Sequence, residues 1–373
     1  EKVIKMFVFI EKELQEICCK AFFLKERLQM DHSNAASIDD VQLEIIEKHY
    51  DRWKKKAGGN GGEDAFLKRL RVEGLSPEQA KNRLRPLRWN EGTPLPKWVQ
   101  ELEKVLSLFP MKKEDVEEKL VFKRSNEPVE RVDTTDALLP FLYYAEQQVI
   151  AGLKDKVRFF SDSAIRDMSQ VLAKALNQLC FRTCYFQFQL FMKEKNPLFA
   201  LIGTMASREE QIANWHDFMQ ELLSGKWKEI LYAYPVLARL MMLIISNWTQ
   251  NLIQFANDLE TDQVKLEAAF NDGKPLGQLK AIDADVSDSH NQGKSVFILT
   301  FRTGVKIVYK PRSLAIDVAW SDWIHYMEKE GLPFYLKTPK VVNEDDHGWT
   351  EFIEQQPLEK QEEAAAFYFR AGV

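Results

Sequence analysis

Apolar residues recur with helical spacing through most of the first 285 residues of the chain. This periodicity predicts helices over residues 3–30, 42–56, 164–192, 208–225 and 236–270. Alternation within residues 185–191 fits a strand by itself, but helical sequence on both sides favours a buried helix face. We therefore expect residues 2–285 to be almost entirely helical.

Local motifs mark where several of these helices begin and end. Ser76-Pro77-Glu78-Gln79 predicts a helix start, with Ser76 as the N-cap and the glutamine as its capping-box partner. Ser207 and Glu210 repeat this arrangement. Two prolines and a glycine predict a linker and a possible sub-boundary near residues 89–97, since they cannot continue a helix. The glycine-rich residues 58–62 predict a flexible segment.

The pattern changes from helical spacing to strand alternation at residue 295. Residues 295–301 are nearly all apolar and residues 305–310 alternate, so the two segments predict a β-hairpin. Gly304 supplies the turn residue, and Pro311 ends the second strand because it cannot donate to a ladder. Lys310 is then the last residue of that strand, on the face opposite Tyr309.

Further short elements follow this hairpin. Residues 313–330 predict a helix, residues 340–342 and 349–354 predict a second hairpin, and residues 358–373 have amphipathic helical spacing. The predicted class is α+β, mostly α. We expect a helical region over residues 1–285 and a smaller region with strands over residues 286–373.

Lys310 is a candidate phosphate-binding residue because a strand would hold it at a fixed point. Protein kinases place a strand-borne lysine against nucleotide phosphates in this way. A merely solvated strand lysine is the alternative, since surface charges are common. Asp317, Asp322 and Glu328 of the following helix are its candidate ion-pair partners.

Asp288 and His290 lie two positions apart in a polar turn before the hairpin. In such a segment both side chains can converge on one ligand, and a histidine suits proton transfer near neutral pH. An Asx-type turn with a surface histidine is the alternative. Gly293-Lys294-Ser295 is not the end of a phosphate-binding P-loop, because a strand follows where that motif requires a helix.

Composition narrows the functional classes. The net charge of −5 and isoelectric point of about 5.9 argue against a nucleic-acid binder. The four cysteines lack zinc-site spacing, and Cys180 and Cys184 fit packing on one helix face, so no metal site is expected here. The longest apolar segment, residues 234–245, is much shorter than a membrane span. Trp215, Trp227 and Trp248 fit helix cores better than a peptide groove.

Together, several segments resemble the dehydratase domain of class II lanthipeptide synthetases. They extend through most of the chain and comprise Arg52-Trp53, Gly74-Leu75-Ser76, Arg182-Thr183, residues 234–239, Asp288-Ser289-His290, Gly293, Val305, residues 309–312 and residues 348–353. The resemblance implies a lipid-kinase-like N-lobe, with antiparallel β-hairpins and one helix, preceded by a helical activation region. The C-lobe of that fold would lie beyond residue 373.

The resemblance also implies an activity. Those synthetases use ATP to phosphorylate Ser and Thr of a leader-bearing ribosomal precursor peptide, then eliminate the phosphate to give dehydroalanine or dehydrobutyrine. By resemblance, Asp288 and His290 serve elimination, Lys310 contacts nucleotide phosphate, and Arg312 and Glu354 contribute to nucleotide binding, Glu354 within a hinge. The catalytic loop, the Mg²⁺ ligands and an arginine and threonine that complete elimination would lie beyond residue 373, and zinc belongs to a separate cyclase domain. The implied protein is a cytoplasmic enzyme of lantibiotic biosynthesis.

We expect the chain to be a fragment without turnover of its own. It begins without Met and ends inside a helical stretch that lacks a capping residue or breaker. Two alternatives are another kinase-like phosphotransferase that shares the Lys310 strand and a non-catalytic helical interaction protein. Asp288 and His290 distinguish them, because neither alternative needs this pair before the hairpin.

Overall fold

The structure is a computed structural model that describes residues 9–29, 39–90, 92–120, 134–195, 207–284 and 293–371. The described chain is mostly helical and carries one five-stranded antiparallel sheet, which confirms the α+β, mostly α class. It divides into two compact units. Unit 1 comprises Glu1–Asp115, Arg131–Pro140 and Gln178–Leu243, and unit 2 comprises Val116–Glu130, Phe141–Asn177 and Ile244–Val373.

Helices account for the described chain up to residue 270 apart from turns and connections. They are α1 Glu11–Lys20, α2 Leu24–Gln29, α3 Asp40–Gly58, α4 Gly62–Val72, α5 Pro77–Asn82, α6 Lys97–Leu106, α7 Lys113–Glu117, α8 Thr135–Leu153, α9 Asp162–Lys195, α10 Arg208–Glu221, α11 Trp227–Ala233 and α12 Pro235–Phe270. The predicted long helices are confirmed as α9, α10 and α12. A π-helical turn, Leu222–Lys226, follows α10.

The prediction of one unbroken helix over residues 3–30 was wrong, because α1 ends at Lys20 and α2 begins at Leu24. Arg239 stabilises the break. Its guanidinium donates to the Ala21 carbonyl at 3.1 Å and to both carboxylate oxygens of Glu26 at 2.6 and 2.5 Å. Glu26 also accepts from the Phe23 backbone N–H at 2.8 Å, so this carboxylate caps the new helix start.

Both predicted capping boxes are present. Ser76 Oγ accepts from the Gln79 backbone N–H, and the Gln79 side chain accepts from the Ser76 backbone N–H. Ser207 and Glu210 make the equivalent pair of bonds. The glycine-rich residues 58–62 join α3 to α4 through a 3₁₀ turn at Gly59–Gly61, and their flexibility stays a prediction.

Aromatic side chains fill much of the core of unit 1. Trp227 is fully buried and its Nε1–H donates to the Ala137 carbonyl at 2.9 Å. Trp215 packs edge-on against Phe188 of α9, with ring centroids 5.0 Å apart. Trp215 and Trp227 are therefore core residues, as expected, and Trp248 is likewise buried in unit 2.

Helix α9 confirms that residues 185–191 are helical, although only part of this segment is buried. Phe188 lies in the core, whereas Tyr185, Phe186 and Leu190 are exposed, because consecutive helical positions point in different directions. Cys180 and Cys184 are buried and free, which confirms their packing role. Burial raises the pKa of Cys184 to about 12, so this thiol stays protonated near neutral pH.

Unit 2 contains the sheet and the remaining helices. The strands are β1 Leu279–Asp283, β2 Phe297–Phe301, β3 Lys306–Lys310, β4 Val341–Asn343 and β5 Gly348–Glu351, in the order β1-β2-β3-β5-β4, with helices α13 Ala315–Lys329 and α14 Gln361–Ala371. Both predicted hairpins are confirmed, as β2–β3 and β4–β5. Gly304 has φ +86°, the left-handed turn conformation that glycine adopts at little steric cost.

Strand β1 lies within the stretch that was predicted to be helical, and that prediction was wrong for these residues. Pairing with β2 supplies one set of backbone partners for β1. The start of α9 and the residue preceding it supply others. Asp167 accepts from the Ile282 N–H at 3.0 Å, Ser163 donates to the Lys280 carbonyl at 2.6 Å, and the Ser161 N–H donates to the Leu279 carbonyl at 3.0 Å. Partners that are distant in the sequence therefore determine that these residues form a strand and not a helix.

One face of the sheet packs on α12. Phe255 of α12 contacts Phe297, Tyr309 and Trp349, with ring centroids 5.2, 5.0 and 6.2 Å away. The alternating burial of β3, with Ile307 and Tyr309 buried between less buried neighbours, is typical of an antiparallel sheet covered on one face. The opposite face, which carries Lys310, is therefore the more accessible one.

Among the helices of the described residues, none is individually long and apolar enough to cross a membrane. Residues 208–233 and Pro235–Phe270 meet the length and composition requirement only as a pair, across a bend of 113°.

Candidate functional site

Lys310 ends β3 on the face opposite the buried Tyr309, as the alternation predicted. Its Nζ lies 3.1 Å from Asp317 Oδ1 in the first turn of α13. Arg312 Nη1 lies 3.4 Å from the other oxygen of the same carboxylate. Of the three candidate partners of Lys310, the structure thus selects Asp317.

Two contacts fix the start of α13 and hence the position of Asp317. The Asn343 side-chain oxygen accepts from the Leu314 backbone N–H at 2.5 Å and lies 3.3 Å from Ser313 Oγ. Gly348 of β5 sits directly against Leu314, since a Cβ atom added to this glycine would lie 2.6 Å from Leu314 Cγ. Gly348 is also the residue that pairs with Lys310. The lysine and its carboxylate partner are therefore held by the same small set of neighbours.

The charge balance at this point suits an anionic ligand. Lys310 and Arg312 share the single carboxylate of Asp317, which leaves a surplus of one positive charge among the three groups. The side chains of Lys310 and Asp317 are 24% and 23% exposed, so both remain accessible from solvent. A cation on a strand end with a fixed partner can receive a phosphate oxygen without a large rearrangement.

A buried polar cluster lies on the other face of β3, and sequence reasoning missed it. We call Asp258, Asp262, Tyr309, His347 and Trp349 the buried carboxylate cluster. The Tyr309 hydroxyl donates to Asp258 Oδ2 at 2.7 Å, and the Trp349 Nε1–H donates to Asp262 Oδ2 at 2.8 Å. Both aspartates belong to α12 and are 6% and 1% exposed. The cluster therefore ties β3 and β5 to one helix.

The pKa values of Tyr309 and His347 in this cluster are both raised. Burial is the main cause of the raised pKa of Tyr309, and the charge of Asp258 adds to it, so the phenol stays protonated. Burial would lower the pKa of His347, but hydrogen bonds to Asp346 and Asp262 together with the charges of Asp258 and Asp262 raise it instead. His347 Nε2 lies 2.8 Å from Asp262 Oδ2, and Nδ1 lies 2.8 Å from Asp346 Oδ1.

The remaining predicted site residues are placed as follows. Asp288 and His290 lie outside the described residues, so their roles stay predictions. Arg312 is exposed beside Asp317. Glu354 is exposed and follows the Glu351 end of β5, whereas Lys310 pairs with Gly348 at the other end of that strand. Among the described residues, no group of three or more His, Cys, Asp or Glu side chains could hold a metal ion.

Comparison with known proteins gives two matches. Residues 234–373 match a family described as a domain of unknown function, DUF4135. Over 226 residues the chain is 26% identical to the lacticin 481/lactococcin biosynthesis protein LcnDR2 of Lactococcus lactis subsp. lactis. That match covers 57% of this chain and 23% of the relative, so the aligned part is about a quarter of that protein's length.

These matches confirm the resemblance that the sequence motifs indicated. The chain is related to the class II lanthipeptide synthetases. The family match begins at residue 234, in the segment that precedes α12, and includes the sheet, Lys310 and the buried carboxylate cluster.

Proposed function

We propose that this chain supplies the helical region and the nucleotide-contacting sheet of a lanthipeptide dehydratase. The full-length enzyme would act in the cytoplasm on a leader-bearing ribosomal precursor peptide during lantibiotic maturation. ATP would donate its γ-phosphoryl group with Mg²⁺ as the counter-ion, and the Mg²⁺ ligands would come from outside this chain. The similarity to a lacticin 481/lactococcin biosynthesis protein supports this assignment.

The observation that carries the proposal is the ion pair between Lys310 and Asp317. In kinase-like folds a strand lysine touches nucleotide phosphates and pairs with a carboxylate of the following helix. Here β3 supplies the lysine, α13 follows it, and the two charged atoms lie 3.1 Å apart. The partner is an aspartate in the first turn of the helix.

The proposed reaction has two half-reactions with different needs. In the first, the Ser or Thr hydroxyl loses its proton to a base and its oxygen bonds to the γ-phosphorus of ATP as ADP leaves. In the second, a base removes the α-proton, the Cα–Cβ double bond forms, and phosphate leaves from Cβ. Lys310 would serve the first step by binding phosphate, and Asp288 and His290 would serve the second.

Replacing Lys310 tests the first half-reaction. In the full-length protein, Lys310→Ala should slow ATP-dependent phosphorylation about 100-fold to 1,000-fold, a loss typical of one pre-positioned electrostatic group. Lys306→Ala is a matched control, because Lys306 is an exposed lysine on the same strand. Quantitative mass spectrometry of the peptide gives both rates. Equal rates in the two variants would rule out the phosphate contact.

Replacing Asp288 or His290 tests the second half-reaction. We expect Asp288→Asn and His290→Ala to let phosphorylated precursor accumulate, because the first step survives while elimination stalls. The peptide then gains the mass of phosphate where the wild-type product loses water. Fully dehydrated product from both variants would refute an elimination role. Unmodified peptide from folded variants would place the pair in phosphorylation.

The same assays separate the proposal from its alternatives. If the protein is a simple phosphotransferase, the wild-type enzyme should yield phosphorylated peptide and no dehydrated product. A non-catalytic interaction protein would yield neither product, and Lys310→Ala would leave peptide binding unchanged.

A further inference from the structure

His347 connects the buried carboxylate cluster to the Lys310 site through the backbone. It directly precedes Gly348, whose Cα pairs with that of Lys310 between β5 and β3. Its ring contacts Asp262 of α12 on one side and Asp346 of the β4–β5 turn on the other. The imidazole thus joins the sheet to α12 next to Gly348, the residue that pairs with Lys310.

The geometry around His347 fits a charged imidazole. Both ring nitrogens lie 2.8 Å from carboxylate oxygens, and an ionised carboxylate only accepts hydrogen bonds. A neutral ring would point one lone pair at a carboxylate oxygen. An imidazolium instead donates from both nitrogens, and it also lies 3.9 Å from Asp258 Oδ2.

The charges that surround this ring are mainly negative. Those on described elements are Asp258, Asp262 and Lys265 of α12, Glu344 and Asp346 of the β4–β5 turn, and Lys294, with neutral Tyr309 of β3 beside them. Four of these groups are carboxylates and two are lysines. Lys265 is half exposed, and its Nζ forms an ion pair with Glu344 and lies 3.5 Å from Asp262 Oδ1. His347 is 9% exposed, so its charge acts on the buried carboxylates with less screening from solvent.

We propose that protonated His347 is a positioning residue, which clamps β5 onto α12 and thereby holds Lys310 in place to bind phosphate. We call His347 with Asp262 and Asp346 the imidazole clamp. The proposal rests on the phosphate-binding role proposed above for Lys310. It adds a regulatory property to that site: phosphate binding weakens when the clamp loses its proton.

The direction of the pH dependence follows from the raised pKa of His347. An unfolded histidine titrates near pH ~6.5, so the stabilisation from the clamp is complete below that pH. It is lost as the pH rises through the higher pKa of the folded state. The imidazole clamp is therefore lost above the pKa of folded His347, and it stays intact at mildly acidic pH.

The charge of the clamp can be measured without any ligand. In ¹⁵N-histidine NMR of the full-length protein at neutral pH, His347 should show two protonated ring nitrogens. The exposed His216 is the control position for the variants below. His347→Gln assigns the signal by its disappearance. Asp346→Asn, which removes the solvent-exposed partner, should shift the titration of His347 to lower pH. A neutral His347 at pH ~6 would overturn the proposal.

The link to Lys310 needs a second measurement. Acylation rates of Lys310 and Lys306 are measured at each pH. In wild type, the Lys310 rate divided by the Lys306 rate should rise several-fold as the pH increases through the His347 titration. Taking the ratio removes the general effect of pH on amine reactivity. In His347→Gln the ratio should not rise over this pH range, whereas in His216→Gln it should rise as in wild type. The same ratio curve in wild type and His347→Gln would refute the link.

ADP affinity across the same pH range completes the test. Above the pH at which His347 loses its proton, wild type and His216→Gln should bind ADP several-fold more weakly. His347→Gln should show no such decrease in ADP affinity. Comparing variants cancels the titration of ADP itself. If ADP binds with the same pH profile in all three proteins, the clamp proposal fails. If ADP does not bind while the acylation step is present, the clamp stands and the phosphate-binding role of Lys310 fails.

Discussion

Two fully buried tryptophans, one in each unit, show how differently the two cores are built. Trp227 of unit 1 donates its indole N–H to the backbone carbonyl of Ala137 at 2.9 Å. Trp349 of unit 2 donates to the Asp262 carboxylate at 2.8 Å. The first acceptor is neutral and the second is charged.

The difference has energetic consequences. A neutral acceptor gives Trp227 one modest hydrogen bond that does not depend on protonation. A buried carboxylate must be compensated, and Asp262 is compensated by the indole, His347 and Lys265. Such clusters contribute little net stability over an apolar core, but breaking one partner is costly. Unit 2 thus has a charge-dependent hydrogen bond at Trp349, whereas the hydrogen bond of Trp227 in unit 1 has a neutral acceptor.

The largest expected effect comes from removing the buried Asp262 carboxylate, which accepts from Trp349 and contacts His347. Asp262→Ala should cost about 3–5 kcal/mol, because it leaves the His347 charge and the Trp349 N–H without their buried acceptor. Urea unfolding monitored by hydrogen exchange of β5 peptides measures this locally. The exposed Asp322→Ala is the control, with little expected change. A loss below about 1 kcal/mol would show that the two cores are alike after all.

A smaller effect is expected from removing one hydroxyl. Tyr309→Phe should cost about 1.5–3 kcal/mol, because Asp258 loses a donor in a buried site while the ring packing remains. Thermal or urea unfolding gives the value. Tyr326→Phe, at a tyrosine that is 53% exposed, should be near neutral. Similar losses in the two variants would mean that the carboxylate does not distinguish the core of unit 2.

The smallest effect compares the two tryptophans directly. Trp349→Phe should destabilise its unit by about 1 kcal/mol more than Trp227→Phe does, because a bond to a charged acceptor is the stronger one. Both changes remove the same atoms, so much of the cavity cost cancels. Hydrogen exchange within each unit provides the two unfolding free energies. An equal or reversed order would contradict the comparison.

Features specified by nearby residues were predictable from the sequence. The hairpin β2–β3 follows from alternation and Gly304, and the capping boxes at Ser76 and Ser207 follow from residues three positions apart. Strand β1 was missed because Leu279-Lys280-Ala281 has no strong strand preference and follows a long helix. Its partners are β2 and residues at the start of α9, more than 100 positions earlier.

Only part of the site could be found in the same way. Lys310 was predictable because its strand and its terminating proline are local, and Asp317 was one of three partners considered. Asp258 and Asp262 sit four positions apart on a long helix, a pattern that usually marks a solvated face. Their burial depends on Tyr309 and His347, which lie 51 and 85 residues further along the chain. No local pattern reveals such distant pairing.

The contact between Gly348 and Leu314 also constrains how this sequence can change over generations. A Cβ atom at position 348 would lie 2.6 Å from Leu314 Cγ and Cδ1, and 3.0 Å from the Val342 carbonyl oxygen. Alanine at 348 therefore becomes tolerable only after position 314 has accepted a smaller residue. The two substitutions have a required order, since taking position 348 first would push β5 away from the start of the helix that carries Asp317. Mutational paths to alanine at position 348 consequently pass through a change at position 314 first.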